Sequence, residues 1–195
     1  MRIGLVIPAA GAGRRLGGVA KALIPRGART FLEHIVAAAR EVGIVDAVAV
    51  VGPPFGDAVA GHARHLGLRV AVNGQPERGM ASSIALGFAA ISEGEADAAW
   101  LWPVDHPGVA VATLRELTAA IGAHDAARPR FEGRGGHPPL VARALWPRLA
   151  GCTSLAGGAR SVFAHADVAD VDVDDPGVLR DVDLPGDLPG PTEVA

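Results

Sequence analysis

Gly11, Gly13, Arg14, Arg15 and Lys21 lie together in Ile3-Gly-Leu-Val-Ile-Pro-Ala-Ala-Gly-Ala-Gly-Arg-Arg-Leu-Gly-Gly-Val-Ala-Lys21, an apolar run that breaks into a glycine-rich turn. Glycine tolerates dihedrals that side chains forbid and leaves amide N–H groups open to an anion. Fixed cations beside such a turn suit a polyphosphate. Two commoner phosphate loops are excluded. The dinucleotide fingerprint needs Gly-x-Gly-x-x-Gly and an acid about 20 residues on. Gly11 and Gly13 fit it, but Leu16 stands at the sixth place, and the next strand-like run ends in Gly52-Pro53 with no acid. The ATP/GTP loop needs Gly-Lys followed by Ser or Thr, whereas Lys21 lies between two alanines. The alternative is a strand-to-helix turn that binds nothing, and the three cations weigh against it.

Four further stretches carry chemistry. In Trp102-Pro-Val-Asp-His-Pro-Gly108, Asp105 follows an apolar run and is flanked by prolines. Magnesium takes one or two carboxylates plus phosphate oxygens and water, so Asp105 is a candidate metal ligand. The competing role is a cap on the helix that follows. Asn73 through Gly87 places Gly79, Ser82 and Ser83 at a helix start, where free N–H groups favour anions, though the serines could be simple caps. Val168–Asp175 and Leu179–Asp183 concentrate acids. Asp181 and Asp183 alternate with apolar neighbours, are expected to project to one side, and could supply a second metal carboxylate. In Pro129–Val141, His137 could touch an acceptor phosphate or act as a base, or be structural. The chain has no Gly-x-Ser-x-Gly elbow and no Cys/His zinc spacing. A phosphate cradle with a metal acid and no covalent nucleophile points to direct phosphoryl or nucleotidyl transfer, which needs positioning and charge neutralisation.

The elements that must hold these residues alternate. Strands are expected at 2–8, 46–51, 68–72 and 97–102, and amphipathic helices at 30–42, 56–66, 80–92 and 110–122. Such alternation implies a parallel sheet covered by helices on both faces, with ligands beyond the carboxyl ends of the strands. The loops after Ile7, Val72 and Trp102 should therefore meet. A single domain over 1–195 is expected, with a frayed tail from Leu184 to Ala195.

Hydrophobic residues make up 49% and charged residues 20% of the 195, which is globular rather than disordered composition. A net charge of −3 and a pI near 6.1 argue against a nucleic-acid binder. No apolar run approaches the roughly 20 residues of a membrane span, and Met1-Arg2-Ile3 reads as a first strand, not a signal peptide. The single cysteine, Cys152, excludes an internal disulfide and suits a reducing cytoplasm.

Pro8-Ala-Ala-Gly-Ala-Gly-Arg-Arg-Leu-Gly-Gly-Val-Ala-Lys21 resembles the signature of MobA-like nucleotidyltransferases, most nearly the molybdenum cofactor cytidylyltransferase branch. Asn73–Gly87, Pro103–Pro107, Gly133–Pro138, and Gly158-Ala-Arg160 followed by Asp181–Pro185 fall in that family's order. The resemblance implies a Rossmann-like three-layer α/β/α sandwich with a mostly parallel sheet. It implies transfer of CMP from CTP to the phosphate of a molybdopterin-type cofactor, with Mg2+ and release of pyrophosphate. Carried over, Ala9, Ala10, Gly11, Ala12 and Gly13 would hold the nucleotide with Asn73, Gly79 and Ser83. Arg15 would meet the β- and γ-phosphates, and Lys21 the charge developing at the α-phosphate. Asp105 and Asp181 would hold the metal, and Arg134, Gly136 and His137 would face the acceptor. A molybdoenzyme or its chaperone would be the protein partner, with neither nucleic acid nor membrane. His106, in place of the family's usual Gln, Gly74, in place of its frequent Pro, and the Asp181–Asp187 segment depart from the pattern. A nucleotidyltransferase for another phosphorylated metabolite, using CTP or GTP, and a non-catalytic cofactor-binding chaperone are the competing readings.

Overall fold

The computed structural model describes residues 1–187. Its centre is β1 (Ile3–Pro8), six residues that are all buried. A strand flanked on both edges and covered on both faces has no wet side, so it reads as a continuous apolar run. Here β4 (Ile44–Val51) and β6 (Ala98–Leu101) flank β1 in parallel, and β5 (Arg69–Val72) pairs with β4, also in parallel. These four strands match the sequence expectation within two residues at each end.

The far side of the sheet is less regular. β7 (Ala126–Phe131) and β9 (Leu140–Ala142) pair antiparallel, as do β9 and β6, while β10 (Val168–Asp172) adds to β7 in parallel. β8 (Arg134–Gly135) closes a hairpin on β7, and β2 (Pro25–Arg26) with β3 (Arg29–Thr30) forms a small separate hairpin. The main sheet runs β10-β7-β9-β6-β1-β4-β5, with β8 beside β7.

Alternate residues of the central strands feed two cores. Leu5, Ile7, Ala49 and Trp100 face one side, covered by α1 (Phe31–Glu41), α2 (Gly56–His65) and α4 (Val111–Ala120). Val6, Val48, Val50 and Leu101 face the other, covered by α3 (Met80–Ile91), α5 (Trp146–Ala150) and α6 (Ala159–Phe163). The result is a three-layer Rossmann-like α/β/α sandwich with a mostly parallel sheet. α1 starts on a capping box, with Glu33 N donating to Thr30 Oγ1 at 3.2 Å and Thr30 N donating to Glu33 Oε2 at 2.6 Å. Among the described residues, no helix is long and apolar enough to cross a membrane.

The chain leaves β1 for β4 and β5 on one side, then returns to place β6 on the other. That reversal opens a crevice beyond the carboxyl ends of β1 and β6, where doubly wound sheets bind ligands. After β10 the chain crosses these strand ends. Asp175 anchors the crossing: its carboxylate accepts from Ala110 N and Thr113 Oγ1 at the start of α4, and from Gly177 N. α4 is therefore capped by Asp175, and Asp105 is not its cap. Leu184–Asp187 form a short turn in which Asp187 accepts from Asp183 N and Leu184 N. The rest of the expected frayed tail, 188–195, lies outside the described residues.

Candidate active site

The loop after β1 is shaped by backbone. Ala9 N donates to Val50 O at 2.8 Å, and Leu16 N and Gly18 N both donate to Gly13 O, at 2.9 and 3.0 Å. Gly13 adopts φ +55°, and a Cβ there would collide with Val19 O. Only glycine fits this close approach, which brings the chain back toward the sheet and delivers Lys21 to the crevice. Lys21 opens a single 3-10 turn and its side chain is only 14% exposed.

The loop after β6 is pinned to the first. Trp102, fully buried, donates its indole N–H to His106 O at 2.9 Å, and His106 N donates to Pro103 O at 3.2 Å. Val104 N reaches Pro8 O at 3.4 Å. Asp105 is thereby held opposite Lys21, with Nζ donating to Oδ2 at 3.2 Å.

A second carboxylate closes on the same ammonium. Lys21 Nζ also donates to Asp183 Oδ1, and Arg15 Nη1 donates to Asp183 Oδ2 at 2.8 Å. The hydrogen bond from Lys21 holds the Asp183 carboxyl below its ordinary range, with Arg15 adding to the effect. Asp181 joins no such pair and stays exposed. The expectation that Asp181 and Asp183 project together is corrected, because the segment is not a strand. Val182 N donates to Asp105 O at 2.9 Å, Val182 packs on Leu16 and Phe31, and the chain turns at Asp183 onto Asp187. Period-two alternation does not survive that turn, and it is Asp183 that lies beside Lys21.

Two clefts flank the glycine loop. The smaller, of about 350 Å³, is lined by Gly11, Arg15, Lys21, Met80, Asp105 and Asp183. The larger, of about 730 Å³, is lined by Ala10, Ala12, Gly18, Pro54, Pro76 and Glu77. Gly11, Gly13 and Arg14 border both. Met80 and Glu77 were not singled out in the sequence, since nothing in their local pattern distinguishes them from surface residues, whereas Arg14 was legible as a cation of the glycine loop.

Not every expected contact reaches a cleft. Asn73 is 3% exposed and spends its amide locally, donating to Ser82 Oγ at 2.8 Å and Ser83 Oγ at 2.9 Å while accepting from Gln75 N. It holds the start of α3 in place and does not line the larger cleft. Ser83 is likewise buried, Ala9 belongs to the core, and Gly79 is the N-cap of α3 beside Met80. Arg134 stands exposed on the β7–β8 hairpin. Gly136 is buried so tightly that a Cβ would meet Val178 at 2.8 Å. His137 N donates to Val178 O at 2.8 Å, and its ring stacks on His106 with centroids 4.8 Å apart. Burial, with the neighbouring His106 ring, lowers the His137 pKa to about 4, and burial also lowers that of His106. The His137 ring is therefore neutral near pH 7, and among the described residues the Nδ1 of each ring is buried without a hydrogen-bond partner.

The donor set suits a small divalent cation. Two carboxylates converge on one cation-sized position, and such ions complete their shell with water and phosphate oxygens. Among the described residues no group of three or more His, Cys, Asp or Glu forms a closed metal cage.

Residues 5–171 match the MobA-like NTP transferase domain. The chain belongs to this family. It is an enzyme of the nucleotidyltransferase kind. Two curated relatives are similar to the MobA-like chain. One is the nicotine blue oxidoreductase of Paenarthrobacter nicotinovorans, 34% identical over 165 residues, covering 80% of this chain and 78% of the relative. The other is the molybdenum cofactor guanylyltransferase of Acidiphilium cryptum, 39% identical over 150 residues, or 73% of this chain and 65% of the relative. The crystal structure of Rv0371c from Mycobacterium tuberculosis superposes with a TM-score of 0.81 at 29% identity, covering 96% of each chain. A second crystal structure, Rv0371c in complex with manganese, superposes at 0.65 with 24% identity, covering 89% of each chain. The latter likeness is one of fold.

Proposed function

We propose that the protein moves CMP from CTP to the phosphate of a molybdopterin-type cofactor. The observation that carries the reading is the convergence of Lys21, Asp105, Asp183 and Arg15 at the mouth of a glycine loop, at the switch point of the sheet. A nucleotide laid across the two clefts would put its base and ribose against Ala10, Pro54 and Glu77 and its α-phosphate at Lys21. An acceptor phosphate oxygen would attack the α-phosphorus, the bond to the β-phosphate oxygen would break, and pyrophosphate would leave. Lys21 would neutralise charge developing on the α-phosphate, and Arg15 would hold the departing phosphates.

Asp105 and Asp183 would hold a divalent cation, proposed as Mg2+, which when bound spreads the phosphate charge. The acceptor would approach from the side of Arg134, Gly136 and His137. The Ala9-Ala10-Gly11 form of the loop resembles the cytidine-using branch of the family more than the guanosine-using one, while the guanylyltransferase relative makes GTP the base to test against it. Cys152 is buried and free, which suits a reducing, cytoplasmic setting, and a molybdoenzyme or its chaperone would receive the product.

The test is pyrophosphate release from each NTP in the presence of Mg2+ and molybdopterin cofactor. Release with CTP is expected. Release with GTP alone would overturn the cytidine assignment, and release only with another phosphorylated acceptor would overturn the molybdopterin assignment. The nicotine blue oxidoreductase relative favours a second reading, an oxidoreductase. The incomplete dinucleotide fingerprint at Leu16 counts against it, and oxidation of NADH or NADPH by the protein would support it.

A further inference from the structure

The two cations expected to take the triphosphate are already engaged. Arg15 and Lys21 both hold the Asp183 carboxylate, and Lys21 holds Asp105 as well. Arg14 is different. It is exposed, it borders both clefts, and among the described residues its guanidinium makes no ion pair and no hydrogen bond. It follows Gly13 in the loop segment shared by the two clefts, between the larger cleft and the one that Lys21 lines. Its own backbone position is fixed without its side chain, through Gly17 N donating to Arg14 O at 3.3 Å.

We propose that Arg14 makes the first contact with the triphosphate, and that the triphosphate then displaces Asp183 from Arg15 and Lys21. The inference rests on the nucleotidyltransferase reading. Its logic is competition between anions. The Asp183 carboxylate caps two cations in the structure, as a phosphate would, and a free guanidinium nearby offers the incoming polyanion a bidentate partner before that carboxylate has left. Asp183 moves no further than its own turn at Asp187 allows, and its release leaves it beside Asp105.

The two halves of the proposal have opposite signs, which a merely structural role would not produce. Calorimetric binding of CTP and CMP to the full chain in EDTA reads both. Arg14→Gln should weaken CTP binding about tenfold, the scale of one charge-assisted hydrogen bond at a wet site, and weaken CMP much less. Arg14→Lys should recover most of the loss. Asp183→Asn should tighten CTP binding without metal, because the cations it occupies are freed. Equal losses for CMP and CTP in Arg14→Gln, or CTP binding unchanged from wild type, would overturn the role of Arg14. Weaker metal-free CTP binding by Asp183→Asn would overturn the displacement. Failure of the wild type to bind any NTP would instead sink the nucleotidyltransferase reading beneath both. Thermal unfolding of each variant controls for folding.

Discussion

Replacing Lys21 with alanine removes the one ammonium on which Asp105 and Asp183 converge. At about 4 Å and an effective dielectric of about 20, one such charge pair is worth roughly 4 kcal/mol. The lysine is 14% exposed and the acids 20% and 31%, so solvent takes part of that, and the same screening applies to a phosphate in their place. A share of about 2.7 kcal/mol realised only as charge develops on the α-phosphate corresponds to about 10²-fold in rate. Lys21→Ala should therefore lower kcat about 10²-fold with a small change in KM, read by steady-state pyrophosphate release. The Asp183 carboxyl, whose largest stabilising influence is the Lys21 hydrogen bond, should titrate higher in the variant, visible by NMR. A loss confined to KM would refute the reasoning, because it would mean that Lys21 binds ground state and transition state alike.

Further outcomes follow from the same geometry. Asp183→Asn should lower kcat at least about tenfold and weaken Mg2+ binding, while Asp181→Asn should do neither; the reverse pattern would restore Asp181 as the metal acid. Asp175→Ala strands Ala110 N and Thr113 Oγ1 at the start of α4 and should cost about 2–3 kcal/mol in urea unfolding, with the m-value unchanged. His137 binds protons more weakly folded than unfolded, so its contribution is present above about pH 6.5 and is lost as pH falls toward 4. A drop from 6.5 to about 4 amounts to about 3 kcal/mol over that window, and His137→Gln should flatten the stability profile there, leaving the slope from His106, which has the same sign.

What could be read from the sequence follows burial. β1, β4, β5 and β6 carry unbroken apolar runs because both faces of the sheet are covered, and their helices show a clear 3.6-residue period. β7 was hidden by Arg128, Pro129 and Arg130, which an antiparallel position near the sheet's end tolerates, and β9 is only three residues long. β10 mixes apolar and acidic residues, as a strand with one wet face does. In the site, the glycine loop, Lys21 and Asp105 were legible because each breaks a pattern at a strand end. Asp175 and Asp183 were not separable from the acids around them, since what distinguishes them is the turn of the chain across the strand ends. The Trp102 bond to His106 O, which fixes Asp105, depends on a backbone carbonyl that no residue pattern marks.

The most direct measurement follows two labels in one reaction. CTP labelled at the α-phosphate, and separately at the γ-phosphate, is incubated with the protein, Mg2+ and molybdopterin cofactor. The α-label should appear on the acceptor and the γ-label in pyrophosphate, and both should fall together in Lys21→Ala. A γ-label released as orthophosphate, with the α-label still on a soluble nucleotide, would contradict nucleotidyl transfer at this site.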